Sequence, residues 1–128
     1  MHLLFVDDSC ACAEILADIA VSVGHTAAIA HDGAECLALT AVQRFDRIFL
    51  DIGLPDADGR DVCDRIRSEG PSRNATIIAI TGNADVVQRS DPRCFNGYLL
   101  KPVALADFET TLSADPEKRH LLLQRPTG

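Results

Sequence analysis

Five short apolar runs punctuate this chain, and the longer stretches between them carry apolar residues at helical spacing. The strand candidates are Leu3-Leu4-Phe5-Val6, Thr26 to Ala30, Arg47-Ile48-Phe49-Leu50, Thr76 to Ile80 and Tyr98-Leu99-Leu100. The fourth is the richest in β-branched residues. After the first run, Ile15, Ile19 and Val23 recur on one helical face with Leu16 and Ala20 beside them, and Gly24 supplies a stop. Asp32 with Glu35 makes a capping-box-like start for a second helix carrying Leu37 and Ala41. Asp58-Gly59 opens a third with Val62 and Ile66 on one face, and Asp61 and Arg65 are spaced to pair on its exposed side. A fourth helix starts near Ala84 and must end before Pro92, because proline breaks a helix interior; Val103 to Leu112 forms the last. Alternation of this kind predicts an α/β fold, a parallel sheet with helices on both faces.

A chain of 128 residues, 47% of them hydrophobic, suits one domain with one sizeable core. Lys and Arg total 12 against 19 Asp and Glu, a formal net charge of −7. Such a surface repels the phosphate backbone, so neither nucleic acid nor an anionic membrane is an expected partner. No apolar run approaches the ~18–20 residues that span a bilayer. The opening MHLLFVDD lacks the basic region and small-residue cleavage site of a secretion signal, so a cytoplasmic location is expected. Residues 1–113 read as the domain, and 114–128 as a tail or a short extra helix around Leu121-Leu122-Leu123. The five cysteines, odd in number and set among apolar residues, read as small buried thiols rather than a disulfide framework. Cys10 and Cys12 form C-x-C without a nearby histidine, which assigns sulfur no metal role. His2, His25, His31 and His120 are scattered away from the polar strand ends and carry no expected chemistry.

The polar residues fall at strand ends. Asp7-Asp8 follow the first strand, Asp51 the third, Thr81 the fourth and Lys101 the fifth. Open parallel sheets bind ligands outside the carboxyl ends of their strands, where strand order reverses. In a flavodoxin-like order that point lies between strands one and three, where Asp7, Asp8 and Asp51 stand. Three carboxylates against the one ammonium of Lys101 call for a divalent cation, and an all-oxygen donor set with few protein ligands suits Mg²⁺. Thr81 can donate to a phosphoryl oxygen and Lys101 can pair with one, so the set reads as a phosphoryl acceptor with Asp51 as the carboxylate nucleophile. Asp56, Asp58 and Asp61 read as a solvated face and a helix cap, outside the metal site.

VDD at 6–8, FLDIGLPDADG at 49–59, AITGN at 79–83 and GYLLKP at 97–102 together resemble the receiver domains of response regulators in two-component phosphorelays, over residues 1 to 113. The last string looks especially like receivers attached to, or serving, hybrid histidine kinases. The resemblance implies a flavodoxin-like, doubly wound (βα)5 fold with a five-stranded parallel sheet in the order 2-1-3-4-5. It implies Asp51 as phosphoacceptor, and Mg²⁺ held by Asp8, Asp51 and the Gly53 carbonyl, with Asp7 acting through water. It further implies Lys101 as the phosphoryl contact, Thr81 as switch hydroxyl, Tyr98 as switch aromatic, Gly82 as the small residue that leaves access, and a cis Lys101-Pro102 bond. The implied partners are a histidine kinase or histidine phosphotransfer protein and a downstream protein, with the chain a monomer or weak dimer and no enzyme beyond its own phosphorylation and dephosphorylation.

The span from Thr81 to Lys101 is slightly shorter than is usual for such domains, and Cys94 stands where they usually have glycine. A short or irregular fourth helix and an altered dimerisation surface are therefore expected. Gly53 and Asn83 stand where such domains tune acyl-phosphate lifetime. Two other readings remain: a receiver-like interaction module that is never phosphorylated, and an Asp-nucleophile phosphatase of the haloacid-dehalogenase kind. Against the latter, Gly53 occupies the position of that family's second aspartate.

Overall fold

Residues 1–82 and 94–113 are described in the computed structural model. Strand β1 (His2–Val6) leads into α1 (Cys10–Ser22), β2 (Thr26–Ala30) into α2 (Gly33–Val42), and β3 (Arg47–Asp51) into α3 (Gly59–Ser68). Strands β4 (Thr76–Thr81) and β5 (Gly97–Leu100) follow, and α4 (Leu105–Ser113) ends the described chain. Every strand pair is parallel and the order is β2-β1-β3-β4-β5, as expected, so strand order reverses between β1 and β3. The helix expected from Ala84, the dimerisation surface tied to it, Asn83, His120 and the segment 114–128 lie outside the described residues.

Central strands are apolar at consecutive positions because both of their faces are covered. Leu4, Val6, Ile48, Leu50, Ile77 and Ala79 face one way and pack on Cys36 of α2 and on Val62 and Ile66 of α3. Leu3, Phe5, Phe49, Ile78 and Ile80 face the other way, onto α1 and onto Phe108 and Leu112 of α4. There Phe5 stacks on Phe49 with ring centroids 5.0 Å apart, and Phe108 meets Phe49 edge-on at 5.3 Å. The buried Arg47 guanidinium donates to the Thr111 carbonyl in the last turn of α4, which suits a cation at a helix C-terminus.

Three local expectations need correction. The face that α1 presents to the sheet is Ala13, Ala17 and Ala20, while Ile15 and Val23 remain 59% and 57% exposed and Ile19 is only partly buried. This helix is apolar around most of its circumference, so periodicity does not choose a face, and the short alanines fit against the phenylalanine-rich side of the sheet. Secondly, among the described ion pairs Asp61 and Arg65 form none; Arg60 pairs with Asp58 at 2.5 Å instead.

The cysteines are the third correction. Cys63 on α3 and Cys94 ahead of β5 are joined by a disulfide across 31 residues, and Cys10 and Cys12 are exposed. Only Cys36 is a buried free thiol, and burial pushes it up to about 12. An odd count excludes full pairing but not one bridge, and the packing of α3 beside the entry to β5 brings together two cysteines that are distant in sequence.

Helix ends follow their sequence signals. Gly24 takes φ +99 after α1, with its N–H on Val21 O and that of His25 on Ala20 O, the two bonds of a Schellman motif. Asp32 caps α2 by accepting from Glu35 N at 2.8 Å, and Asp58 caps α3 by accepting from Arg60 N at 2.8 Å. The cap of α1 is Ser9, which leaves the carboxylates of Asp7 and Asp8 available for other contacts.

Candidate functional site

The strand ends that alternate in sequence meet at one edge of the sheet. Parallel pairing of β1 with β3 puts Val6 opposite Leu50, so the residues just beyond them, Asp7 and Asp51, emerge side by side. One carboxylate oxygen from each of Asp7, Asp8 and Asp51 lies within 4.8 Å of the other two. Asp7 and Asp51 are each only 4% exposed, whereas Asp8 faces solvent.

The two oxygens of Asp51 are held differently. Oδ1 accepts from Gly53 N at 2.9 Å, and Oδ2 accepts from Lys101 Nζ at 2.8 Å. Lys101 reaches this place because its own N–H donates to Thr81 O at 2.8 Å, which carries the β4–β5 ladder one step past the strand. Its peptide bond to Pro102 is cis, as the resemblance implied. On the other side, Gly59 N donates to Ile52 O at 2.9 Å. A Cβ on Gly59 would stand 2.6 Å from Ile52 Cα and 2.8 Å from Asp51 O, so this close approach requires glycine.

Charge is out of balance in this pocket. Burial raises the Asp7 carboxyl above its ordinary range; the Ser9 N–H bond and the Lys101 charge oppose this, while Asp51 and Asp8 reinforce it. Burial alone would lower the Lys101 ammonium, but its hydrogen bond to Asp51 and the charges of Asp51, Asp7 and Asp8 outweigh it and raise the group. One ammonium thus faces three carboxylates, and every anionic donor is oxygen. That donor set fits a hard divalent cation of the Mg²⁺ or Ca²⁺ type.

The structure therefore brings together Asp7, Asp8, Asp51 and Lys101, with Gly53 tied in through its backbone. Thr81 is buried at the neighbouring strand end. A Cβ on Gly82 would meet nothing within 4 Å, so the approach there is open. Tyr98 lies half-buried in β5 opposite Ala79 and packs against the apolar cluster on the α2–α3 face of the sheet. Sequence reasoning placed Asp58 correctly as a cap but missed Asp56, whose carboxylate accepts from Gly33 N at 2.8 Å and Ala34 N at 3.1 Å. No local pattern announces that contact, because its partners are more than twenty residues away on α2.

An open parallel sheet with clustered carboxylates at its reversal point and a lysine just past its last strand defines a class of doubly wound α/β domains. Within that class the chain belongs to the response regulator receiver domain family, whose model matches residues 3–113, and receivers are the phosphoacceptor modules of two-component signalling. It is 34% identical over 116 residues to response regulator MprA of Mycobacterium ulcerans (strain Agy99), which covers 89% of this chain and 49% of that protein. The chain thus spans about half the length of the curated relatives it matches. A CheY-like response regulator receiver domain from Methylobacillus flagellatus superposes with a TM-score of 0.80 at 25% identity, covering 88% of this chain and 95% of that one. Response regulator TrrA of Thermotoga maritima, solved in complex with Mg²⁺–BeF, shares the fold with a TM-score of 0.77 at 23% identity; the match covers 87% of this chain and 95% of that one. No helix among the described residues is long and apolar enough to cross a membrane.

Proposed function

We propose that Asp51 takes a phosphoryl group, with Mg²⁺, from a phosphohistidine on a histidine kinase or histidine phosphotransfer protein, and that the altered surface is read by a downstream protein. The observation that carries this reading is the convergence of Asp7, Asp8 and Asp51 within 4.8 Å, with Lys101 Nζ 2.8 Å from Asp51. The cation would be held by Asp8, Asp51 and the Gly53 carbonyl, with Asp7 acting through water. When bound, Mg²⁺ supplies positive charge for the phosphoryl oxygens as the transfer proceeds. The Thermotoga response regulator of like fold, solved with Mg²⁺–BeF, supports the choice of Mg²⁺ by analogy.

In the transfer, an Asp51 carboxylate oxygen approaches phosphorus in line with the departing imidazole nitrogen. The O–P bond forms as the P–N bond breaks, and the imidazole keeps the electron pair and takes a proton from solvent. The chain contributes positioning and charge rather than covalent activation. Lys101 exchanges its contact with Asp51 for a phosphoryl oxygen, and Thr81 donates its hydroxyl to another. Conversion of a carboxylate into an acyl phosphate adds about one further negative charge. Tyr98 turns into the space that Thr81 vacates, and a partner reads the shifted population of surfaces.

Residues 1–113 form the working domain, a signalling phosphoacceptor that catalyses only its own phosphorylation and dephosphorylation. Its net acidity favours a protein partner over nucleic acid or an anionic membrane. Incubation with a small phosphodonor and Mg²⁺, followed by intact-mass measurement, tests the reading. One phosphoryl group is expected on the wild type and none on Asp51→Asn. A wild type that gains no phosphoryl group overturns the reading in favour of an unphosphorylated interaction module.

A further inference from the structure

Residues 52–58 connect β3 to α3, yet their side-chain anchor is on α2. The two oxygens of Asp56 accept from consecutive backbone N–H groups in the first turn of that helix, Gly33 at 2.8 Å and Ala34 at 3.1 Å. Asp32 already caps the same helix through Glu35 N, so α2 receives one carboxylate from its own chain start and a second from a distant loop. The contact is close. A Cβ on Gly33 would stand 3.2 Å from Asp56 Oδ1, 3.2 Å from Ala57 Cβ and 3.1 Å from Val62 Cγ2, so α2 offers bare backbone where the loop seats.

The rest of the loop is closed upon itself. Gly53 and Asp58 form an antiparallel bridge, Asp58 caps α3, and Gly53 N donates to Asp51 Oδ1. Gly53 therefore answers to two fixings: Asp51 on one side and, through the bridged loop, the Asp56 carboxylate on α2. An anion with two N–H donors at a helix start is a firm attachment.

We infer that Asp56 is a positioning residue: by fastening the β3–α3 loop to the first turn of α2, it sets the Gly53 carbonyl where a bound cation requires a protein oxygen. The inference rests on the Mg²⁺ reading above and adds α2 to the elements that shape the site. Asp56 touches neither cation nor phosphoryl group; it acts through Gly53. Gly33 is part of the same device, since a Cβ there would crowd the Asp56 carboxylate, Ala57 and Val62 at 3.1–3.2 Å.

Mg²⁺ titration by calorimetry on the full chain tests this, comparing wild type with Asp56→Ala, Asp56→Asn and Asp32→Ala. Asp32→Ala uncaps the same helix without touching the loop, so it reports the loss of α2 stability alone. Asp56→Asn removes the same charge as the alanine variant but keeps an oxygen for Gly33 N–H. Loss of a direct partner of a metal ligand typically weakens affinity by roughly tenfold or more; Asp56 acts one step further out, and a weakening of up to about tenfold is expected for Asp56→Ala. Asp32→Ala should stay near the wild-type value, and Asp56→Asn should recover much of the loss. Hydrogen exchange at the Gly53 amide should quicken in Asp56→Ala and not in Asp32→Ala. Wild-type affinity in Asp56→Ala, equal weakening in Asp32→Ala, or an asparagine variant as weak as alanine overturns the positioning role while leaving the site itself intact. A wild type that binds no Mg²⁺ overturns the site reading and this inference with it.

Discussion

Asp7 is the carboxylate that should be easiest to improve upon when no cation is present. It is buried, its pocket holds two further carboxylates, and Lys101 already makes its closest contact with Asp51. Asp7→Asn keeps the shape and keeps an oxygen for the Ser9 N–H, which donates to Asp7 Oδ1 at 2.9 Å. Two like charges at the 4.8 Å limit of this cluster repel by about 3.5 kcal/mol at an effective dielectric of 20, and by about 0.9 kcal/mol at that of water. The buried Asp51 lies toward the first figure and the exposed Asp8 toward the second, and loss of the attraction to Lys101 cancels a large part. A net gain of about 1–2 kcal/mol remains, or roughly 3–6 °C in melting temperature.

Mg²⁺ should reverse the comparison. A ligand at ten times its dissociation constant stabilises the folded state by about 1.4 kcal/mol, and the variant, short of the negative charge that Asp7 offers the cation through water, forfeits most of that. Thermal melts followed by circular dichroism, in chelator and in Mg²⁺, read both effects. The expected result is a variant more stable than wild type in chelator, with the difference narrowing or inverting in Mg²⁺. The pH dependence has a definite sign. Because burial raises the Asp7 carboxyl, the penalty that its charge places on the wild-type fold is complete above that raised value; it shrinks as pH falls from there toward the ordinary 3.8, and below 3.8 it is gone. A variant less stable than wild type in chelator, or an equal response of both proteins to Mg²⁺, refutes the reasoning.

Two further outcomes follow from single contacts. Asp58→Ala should lose about 1 kcal/mol as a missing N-cap in denaturant titrations at neutral pH. The hydrogen bond from Arg60 holds the Asp58 carboxyl below its ordinary 3.8, so this contribution is present above that value and fades as pH falls through the lower one; a pH-independent difference contradicts the assignment. Reduction of the Cys63–Cys94 bridge, which spans 31 residues, should lower stability by about 3–4 kcal/mol. Cys63→Ser should match the reduced wild type without added reductant, whereas a reductant-insensitive melt refutes the bridge.

What was legible in the chain, and what was not, divides by the kind of contact. Strand positions are set by runs of four to six residues, so Leu3–Val6 and Thr76–Ile80 announce themselves, and parallel pairing then fixes which residues emerge together at the sheet edge. That is why Asp7, Asp8, Asp51 and Lys101 could be assigned to one place before any coordinates. A helix face is set by what lies beneath it. In α1, isoleucine and alanine compete for the sheet, and the alanines win because the phenylalanines of β1 and β3 already fill the space. Cys63 with Cys94, and Asp56 with Gly33, join elements whose sequence neighbourhoods hold no trace of one another.

The same division bears on how such a site can vary. Carboxylates at strand ends are held by the sheet, and moving one would require a register shift that turns a whole strand inside out. The loop that carries Gly53 has no such guarantee; besides its own bridge and cap it leans on the Asp56 carboxylate, with tight packing at Gly33 and a backbone approach at Gly59 that leaves no room for a Cβ. Substitutions at Asp56 and Gly33 should therefore tune cation affinity while the carboxylate cluster itself stays in place, whereas a side chain at Gly59 would press on the Asp51 backbone itself. On the proposed reading, the strand-end residues would determine whether the chemistry can occur, and the loop fixings how tightly its cation is held.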